Sequence, residues 1–346
     1  MAEVLYVGTT KGVMTLCRDD GSPWRVEHQG LKDWTVTGVT TLPSQPSRVL
    51  AATRGDGVWL SEDFGKSWRK PCYGKPGPGK VQCLTLDPHT PDRVYAGCEP
   101  IDVYVSDDLG RSWDRFASVR ELPFVAEIDY PLATVEPHVR DITVDPKDPR
   151  TLYAALQVGY MIKSTDGGAT WQLLDKDVDA DIHTIVVDPT ASNTIVVATG
   201  GHDFRAGKAK GRALYRSTDG GASWAPVGTE FPQEYSVPLV ASPANPKVLY
   251  SALANGQPGQ WRRPTGAESL LVCSGDGGAT WEELPVAVPD VGKDFAGAIA
   301  LAADDPERLY AGLHRGEILA STDGGRSWAK LDVQVGHVCD MAHVAA

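Results

Sequence analysis

The stretch Ser164–Trp171, STDGGATW, decides the fold because near-copies of it recur along the whole chain. The template is S-x-D-x-G-x-[ST]-W. Five more segments of the chain match it: Ser61–Trp68 (SEDFGKSW), Ser106–Trp113 (SDDLGRSW), Ser217–Trp224 (STDGGASW), Ser274–Trp281 (SGDGGATW) and Ser321–Trp328 (STDGGRSW). A seventh, incomplete copy, Cys17–Trp24 (CRDDGSPW), matches the template only at its Asp, Gly and Trp positions. The closing tryptophans are 44 to 58 residues apart, a period typical of a propeller or a repeat array.

Each position of the motif has a physical role in a tight turn. An Asp side chain accepts hydrogen bonds from nearby backbone N–H groups, and the Gly two residues later adopts a positive φ without steric cost. The Trp begins the next strand and buries a large apolar ring. These roles predict hairpins that stabilise the fold.

The segments between the hairpins predict four short strands per repeat. One repeat shows the pattern: VRDITVDP (139–146) gives a first strand that ends at a proline turn, TLYAA (151–155) gives a second, the third leads into the hairpin and the fourth begins at its Trp. We therefore predict an all-β, seven-bladed propeller that forms a single domain over residues 1–346. Because Val4–Gly8 matches a second strand, HVCDMAHV (337–344) is expected to supply the innermost strand of blade 1 and close the ring.

The repeated motif resembles the Asp-box, or BNR repeat, of sialidases and related β-propellers, and the resemblance covers nearly the whole chain. In that family the boxes lie between the third and fourth strands, on the face away from the active site. The resemblance implies that the box aspartates have no catalytic role here: Asp63, Asp108, Asp166, Asp219, Asp276 and Asp323.

Members of this family divide into several functional classes. Strict sialidase activity is not expected, because the chain lacks the Arg-Ile-Pro element that sialidases carry near the N-terminus. Xyloglucan-cleaving relatives pair two propellers across a cleft. Photosystem assembly factors with seven Asp-box blades bind protein partners through an arginine-rich face, whereas the corresponding face here carries histidines and carboxylates as much as arginines.

Composition narrows the choice of partners and compartment. The 346 residues carry a net charge of −12 without long blocks of one sign, which argues against nucleic-acid or anionic-membrane binding. Six scattered cysteines form no CxxC pair, so they favour buried thiols over a disulfide framework. The N-terminal residues MAEVLYVGTTKG resemble a strand and not a signal peptide. A cytoplasmic protein is expected.

Three long loops are predicted on the face opposite the hairpins, where propellers commonly bind ligands. They are Ala117–Pro137, Gly200–Gly211 and Ala254–Ala267. The second contains the basic residues Arg205, Lys208, Lys210 and Arg212, which with Arg262 and Arg263 suit an anionic group, although a solvated loop explains them equally well.

Five of the eight histidines align near this face. Repeat alignment places His138 and His337 at one position and His183 two residues further in, level with Arg140 and Cys339, while His202 and His314 end second strands. Neutral imidazole is the commonest ligand of transition metals, so these five are candidate ligands of one divalent transition metal. The alternative is that each is a satisfied histidine at the rim.

Carboxylates beside these histidines suggest acid–base chemistry. Candidate catalytic residues are Glu136, His138, Arg140, Asp181 and His183. Candidate ligand-binding residues surround the same channel, where water alone also explains a polar ring: Arg54, Glu99, Gln157, Arg205, Tyr235, Asn255 and Arg262.

Taken together, these patterns favour an enzyme of hydrolase or lyase type. Its ligand would be a small polar or carbohydrate-like molecule, or a glycan, bound where the channel opens on the loop face. The sequence leaves two alternatives open: a non-catalytic scaffold that binds a protein partner, and a metal-dependent enzyme.

Overall fold

The chain folds into a seven-bladed β-propeller. The computed structural model describes residues 3–19, 21–42, 44–71, 77–128, 135–302 and 304–345. Seven antiparallel sheets surround a central channel. In blades 2 to 7 the strands follow chain order from the channel outward, whereas in blade 1 the last strand of the chain lies nearest the channel. This confirms the predicted all-β fold and its number of blades.

The strands of the sheets follow the chain in order. Those of the first three sheets are β1 (Glu3–Thr9), β2 (Gly12–Arg18), β3 (Arg25–Gly30), β4 (Val36–Leu42), β5 (Gln45–Thr53), β6 (Gly57–Ser61), β7 (Val81–Leu86), β8 (Val94–Cys98), β9 (Asp102–Ser106) and β10 (Asp114–Arg115). Those of the fourth and fifth are β11 (Val139–Val144), β12 (Leu152–Leu156), β13 (Met161–Ser164), β14 (Gln172–Leu174), β15 (Ile182–Val187), β16 (Ile195–Thr199), β17 (Leu214–Ser217) and β18 (Ala225–Val227).

The last two sheets and the closing strand complete the ring. Their strands are β19 (Tyr235–Ala241), β20 (Leu249–Ala254), β21 (Leu270–Ser274), β22 (Glu282–Glu283), β23 (Ala296–Leu301), β24 (Leu309–Leu313), β25 (Ile318–Ser321), β26 (Ala329–Lys330) and β27 (Val338–Ala345). The helical segments are α1 (Ala117–Arg120), α2 (His202–Arg205) and 3-10 turns at Pro123–Glu127, Pro258–Gln260 and Val291–Lys293. None of the helices in the described ranges is long and apolar enough to cross a membrane.

Blade 1 is closed by the C-terminal strand, as predicted. Strand β27 pairs antiparallel with β1 from Glu3↔Ala345 to Thr9↔Val338. The first strand of the chain therefore has a partner on each side, and the innermost position of this blade is filled from the opposite end of the chain.

Blade 2 departs from the predicted four strands. Its described sheet has three strands, β4, β5 and β6, and its outer edge is an isolated bridge between Leu60 and Arg69. Pro71 follows closely, and proline lacks the N–H that would continue a ladder.

The six hairpins that match the full template share one pattern of serine and aspartate hydrogen bonds. In the fourth blade Ser164 Oγ accepts from Gly168 N at 2.8 Å, and Asp166 Oδ1 accepts from Thr170 N at 2.9 Å. Gly168 has φ +90°, which a side chain would strain. Trp171 Nε1 donates to Gly168 O at 3.2 Å. Both carboxylate oxygens of Asp166 therefore accept hydrogen bonds from residues of the same hairpin.

Apolar contacts between neighbouring blades make the core. Each described cluster of buried side chains combines adjacent sheets; Leu5 and Val7 of blade 1, for example, pack with Tyr310 and Ile318 of blade 7. Near the channel, threonine hydroxyls donate to backbone carbonyls of the next blade: Thr37 to Val81, Thr85 to Ile142, Thr143 to Ile185 and Thr184 to Val237. The blades are thus fixed to one another at the level of the channel.

Candidate ligand site at the channel mouth

The channel opens on the face opposite the hairpins, and we call this opening the mouth. At the mouth the innermost strand of every blade has a β-bulge or an irregular pairing with its neighbour. The residues that fall out of register are Thr37, Gln82, Arg140, His183, Val237 with Pro238, Gly297 and Cys339. A bulge bends the strand and redirects a side chain, so this ring of residues determines what the mouth presents.

The aligned positions predicted from sequence hold in the structure. Arg140, His183 and Cys339 occupy the same bulge position in blades 4, 5 and 1. Their side chains nevertheless go to different places. His183 turns into the interface with blade 6, where its Nδ1 lies 2.6 Å from Ser236 O, whereas Arg140 and Cys339 stay partly exposed.

Glu99 is a buried carboxylate surrounded by donors. Its Oε2 accepts hydrogen bonds from Arg54 Nη2 at 2.7 Å and Gln82 Nε2 at 2.6 Å, and Lys80 Nζ lies 3.4 Å from Oε1. Burial raises the pKa of Glu99, but the hydrogen bond and charge of Arg54, together with Lys80, lower it below its usual value. Glu99 therefore anchors Arg54, whose side chain is 39% exposed, at the mouth.

His138 is neutral and enclosed. Its Nδ1 lies 3.0 Å from Glu136 O, so this nitrogen carries the hydrogen and donates to a backbone carbonyl. Burial, and after it the charge of Arg140, lowers the pKa of His138 to about 4. Glu136 contributes its backbone to this contact, while its carboxylate lies 3.9 Å from Lys80 Nζ. Of the two predicted catalytic residues, Glu136 therefore contacts His138 through its backbone and not through its carboxylate.

Arg140 differs from its neighbours because its guanidinium makes no hydrogen bond or ion pair with any residue that the structure describes. It is half-buried, and its charge lowers the pKa values of Asp181 and His138 and opposes the rise in that of Cys339. Guanidinium has five N–H donors in a planar fork that matches carboxylate and phosphate groups. An unpaired Arg at the mouth is a ready anion-binding group.

Asp181 and His183 form a close pair beside Arg140. His183 Nε2 lies 3.2 Å from Asp181 Oδ1. The side chain of His183 is 1% exposed and that of Asp181 is 11% exposed, so the carboxylate is the member of the pair that reaches solvent. Burial raises the pKa of Asp181, but His183, Arg140 and His202 outweigh it and lower the pKa below its usual value. Asp181 is therefore ionised at neutral pH.

The segment around this pair is fixed by a second aspartate. Asp179 is buried, and its Oδ1 accepts hydrogen bonds from the backbone N–H groups of Asp181 and His202, both at 3.0 Å. Its Oδ2 accepts from Phe204 N at 3.0 Å. Arg205 Nη1 donates to Gly200 O at 2.6 Å. The predicted ligand-binding residue Arg205 thus braces the loop that carries the short helix α2.

Blades 6 and 7, together with the entry to blade 1, present rings instead of charges. His314 and His337 are stacked, with ring centroids 4.2 Å apart at 26°. Trp261 lies 5.4 Å from His314, and Phe295 and Tyr235 support Trp261 from behind at 4.9 and 5.3 Å. Burial lowers the pKa of His314 to about 3, and it also lowers the pKa of His337. We call Trp261, His314 and His337, which are the partly or fully exposed members, the aromatic wall.

The aromatic wall depends on a missing side chain. Gly297 holds the bulge position of blade 7, and a Cβ built there would lie 2.8 Å from His314 Nε2. The imidazole occupies the space that a bulge side chain would fill in another blade.

Two further carboxylates line the channel one residue beyond the bulge. Asp141 Oδ2 accepts from Ile185 N and Asp340 Oδ2 from Val39 N, both at 2.8 Å, so each binds the backbone of the next blade. Burial raises the pKa of Asp141 to about 7 and that of Asp340 to about 6, and the charge of Asp340 adds to the rise at Asp141. The aligned sequences VRD and VCD carried the signal for this pair, but it was not among the predicted site residues.

The five predicted metal ligands do not share one cavity. His138 and His183 are buried with Nδ1 on backbone carbonyls, His202 begins α2, and His314 and His337 stack on each other. Within the described ranges, no group of three or more His, Cys, Asp or Glu side chains is arranged to hold a metal ion. The metal-site prediction therefore gains no support from the described residues.

The remaining predicted residues are mostly structural. Gln157 N donates to His138 O at 2.9 Å, and Asn255 Nδ2 donates to Glu268 Oε2 at 3.0 Å. Tyr235 is buried behind Trp261, whereas Arg262 is exposed.

The described residues of the first long loop, Ala117–Pro137, pack against both blade 3 and blade 4. Ser118 Oγ donates to Gly168 O in the hairpin of that blade, and Val119 is buried. Residues 129–134 of this loop lie outside the described residues.

A cavity of about 140 Å³ lies between blades 6 and 7. Leu271, Leu284 and Val291 are among the residues that line it, and no predicted site residue does.

Comparison with known proteins supports the fold. No protein-family model and no curated protein sequence matches the chain. Among solved structures it resembles a GH74 enzyme of Niastella koreensis, with 17% identity, a TM-score of 0.63 and coverage of 94% of this chain and 46% of that one. It also resembles YCF48 bound to a D1 peptide, with 15% identity, a TM-score of 0.57 and coverage of 92% and 87%.

A third neighbour is the WD40 repeat domain of RRP9, with 11% identity, a TM-score of 0.59 and coverage of 98% of this chain and 88% of that one. At these identities the likeness shows the fold alone. The chain spans less than half the length of the GH74 enzyme that it matches.

Proposed function

We propose that this chain binds a small anionic, ring-bearing ligand at the channel mouth and acts on it as a hydrolase or lyase. One observation carries the proposal: the mouth is divided into two chemically different sides. Arg54, Lys80, Arg140 and Asp181 form an ionic wall on blades 2 to 5, and the aromatic wall lies on blades 6 and 7 and at the entry to blade 1.

The ionic wall supports binding of an anion through Arg140 and Arg54. Glu99 and Glu136 offset the charges of Arg54 and Lys80, whereas Arg140 has no hydrogen-bond or ion-pair partner among the described residues. A carboxylate bound between the two guanidinium groups accepts charge-assisted hydrogen bonds, which are stronger than hydrogen bonds between neutral groups.

The aromatic wall supports binding of a ring. Its imidazoles are neutral at physiological pH and their stacked faces continue the indole of Trp261. Flat neutral rings pack against the apolar face of a sugar or of an aromatic ligand. A uronate-type sugar, with a ring face and a carboxylate, suits both walls.

The protonation states of two carboxyl groups support a reaction at this site. Asp181 is ionised and accepts a proton, while Asp141, with a pKa raised to about 7, retains one near neutral pH. A base and an acid whose pKa values are pushed apart suit hydrolysis of a glycosidic bond. They equally suit elimination, in which Asp181 takes the proton beside an Arg140-bound carboxylate and the departing oxygen takes a proton from Asp141.

A second function has a specific observation in its favour. Lys208, Lys210 and Arg262 are exposed on loops next to the aromatic wall, and one structural neighbour, YCF48, is described as bound to a D1 peptide. A non-catalytic site for an acidic peptide segment would use the same arginines.

Ligand-observed NMR with the full chain separates these functions. D-glucuronate, which has both ring and carboxylate, should bind more strongly than D-glucose, which lacks the charge, and D-gluconate, which lacks the ring. Release of nitrophenolate from a nitrophenyl glucuronide would identify a hydrolase, and ultraviolet absorbance of an unsaturated product from an oligogalacturonate would identify a lyase. Equal or absent binding of the three probes, with binding of a poly-glutamate peptide, would instead support the peptide-binding function.

A further inference from the structure

The third long loop, Ala254–Ala267, carries Trp261 of the aromatic wall and is closed at its base. Asn255 N donates to Ala267 O at 2.8 Å, where the loop leaves the sheet of blade 6. Trp261 follows directly on the 3-10 turn Pro258–Gln260. The indole is therefore presented by a loop whose two ends are joined by a backbone hydrogen bond.

The indole N–H of Trp261 shares its acceptor with an arginine. Trp261 Nε1 donates to Asn255 O at 3.1 Å, and Arg263 Nη2 donates to the same oxygen at 2.9 Å. A carbonyl oxygen has two lone pairs, so it accepts both hydrogen bonds. The position of the indole is therefore linked to that of the guanidinium.

Arg263 also contacts the far end of the loop. Its Nε donates to Gly266 O at 2.9 Å, and its Nη2 lies 3.0 Å from Glu268 Oε2. The same carboxylate oxygen accepts from Asn255 Nδ2 at 3.0 Å. One planar side chain thus joins the start of the loop to its end, and we call Asn255, Arg263, Gly266 and Glu268 the clasp.

Three rings pack against the indole from outside the loop. The ring centroids of Tyr235, Phe295 and His314 lie 5.3, 4.9 and 5.4 Å from that of Trp261. Tyr235 begins β19, Phe295 precedes β23 and His314 follows β24, so these rings belong to the sheets of blades 6 and 7. The clasp and the rings together fix the indole, while part of Trp261 stays exposed.

We propose that Arg263 is a positioning residue for ring binding: its clasp orders Trp261 before a ligand arrives. A side chain that is ordered in advance does not have to be immobilised on binding, which strengthens binding between about twofold and tenfold. Arg263 thereby has a role different from the anion binding that its charge suggests. The clasp stands on the geometry alone, whereas its effect on a ligand rests on the proposed function.

Indole ¹H–¹⁵N NMR of the full chain tests the clasp. The chain has ten tryptophans, and the Trp261 signal is identified by its loss in Trp261→Phe. In Arg263→Gln this signal should shift or broaden while the other nine keep their positions, which also shows that the variant is folded. Arg263→Lys should have the same effect, because an ammonium group does not reproduce the planar fork of the guanidinium. An unchanged Trp261 signal in either variant would overturn the proposal.

Binding then separates positioning from a loss of charge. Arg263→Gln should weaken D-glucuronate binding between about twofold and tenfold, and it should leave binding of D-gluconate, which has the carboxylate but no ring, unchanged. Arg326→Gln is the matched control and should bind both ligands normally, since Arg326 donates to Asp323 O at 3.1 Å and pairs with Glu307 on the hairpin face.

Equal weakening of the two ligands in Arg263→Gln would show that Arg263 acts through its charge, and it would overturn the positioning role. If D-glucuronate does not bind the unaltered protein but the Trp261 signal moves as expected in both Arg263 variants, the proposed function fails and the clasp stands.

Discussion

The Asp340 carboxylate and the Val39 backbone join the first and second blades: Oδ2 accepts the N–H of Val39 at 2.8 Å, across 301 positions of sequence. Asp141 and Ile185 repeat this bond between blades 4 and 5. Both carboxylates lie in the channel, where they favour the protonated form. The hydrogen bond from Val39 favours the ionised Asp340, but burial of that charge outweighs it, so the carboxylate at the seam has a cost at neutral pH.

Replacing Asp340 with Asn should stabilise the protein at pH 8. The amide oxygen still accepts from Val39, and the buried charge is removed. Burial raises the folded-state pKa of Asp340 from 3.8 to about 6. The free energy of unfolding of the unaltered protein therefore falls as pH rises between these two values, and it stays low at higher pH. Channel water reduces the effect, so we expect a gain of about 1–2 °C in Tm.

Calorimetry at pH 4 and pH 8 checks this prediction. The gain should be present at pH 8 and nearly absent at pH 4, where Asp340 is protonated in the folded protein. A variant less stable than the unaltered protein at both values would show that the ionised carboxylate stabilises the seam.

Removing residues 337–346 should abolish stable closure. The deletion strips β27 from β1 and exposes an open edge beside the core of blade 1. We expect aggregation on expression or a large loss in Tm. A control lacking only residues 345 and 346 keeps nearly all of the pairing and should behave like the full chain. A soluble 337–346 deletion with an unchanged Tm would contradict the closure.

Asp166→Ala should lower stability without affecting the mouth. Its carboxylate accepts from Thr170 and Ser164, and these bonds lower its pKa to about 2. Because the folded-state pKa lies below the unfolded value of about 3.9, the ionised carboxylate stabilises the protein above that pH. This stabilisation is lost as pH falls toward 2, so the difference in Tm between the variant and the unaltered protein should shrink on acidification. Thr165→Ala, at the exposed neighbouring position, is the control. Lost D-glucuronate binding in a folded Asp166→Ala variant would contradict a purely structural hairpin.

Gly200→Ala should disturb the Asp181–His183 pair. The added methyl group overlaps Asp181 Oδ2, so either the carboxylate or the backbone must move. We expect a lower Tm and weaker binding of D-glucuronate. Gly259→Ala adds the same group on the same face where no atom lies within 4 Å, and it should leave both measurements unchanged. Equal behaviour of the two variants would argue against this overlap.

The architecture was predictable because its signals are local and repeated. The hairpin motif and the strand alternation depend on residues that are close in sequence, so both can be recognised without the structure. Together with the Val4–Gly8 strand, which has no inner strand before it in the chain, they predict seven blades and closure by the C-terminal strand. The prediction of four strands was wrong for blade 2, whose outer edge has only an isolated bridge between Leu60 and Arg69 in place of a fourth strand.

The site was only partly predictable because it depends on side-chain direction. Repeat alignment placed Arg140 and His183 at one position, yet the bulge leaves the first at the mouth and turns the second into the next blade interface. Whether a histidine stacks, caps a carbonyl or binds a metal is decided by neighbours from other blades, which linear spacing does not encode. The stacking of His314 on His337 is such a case.

The central claim is that Arg140, whose guanidinium has no hydrogen-bond or ion-pair partner among the described residues, binds the ligand at the mouth. Titration of D-glucuronate into the full chain, into Arg140→Gln and into Arg150→Gln tests it most directly, since Arg150 lies exposed on the turn before β12 on the opposite face. The account predicts that Arg140→Gln weakens D-glucuronate binding at least tenfold, about 1.4 kcal/mol, removes the preference over D-glucose, and leaves Tm unchanged, while Arg150→Gln binds normally. Equal affinity in the three proteins would contradict the claim.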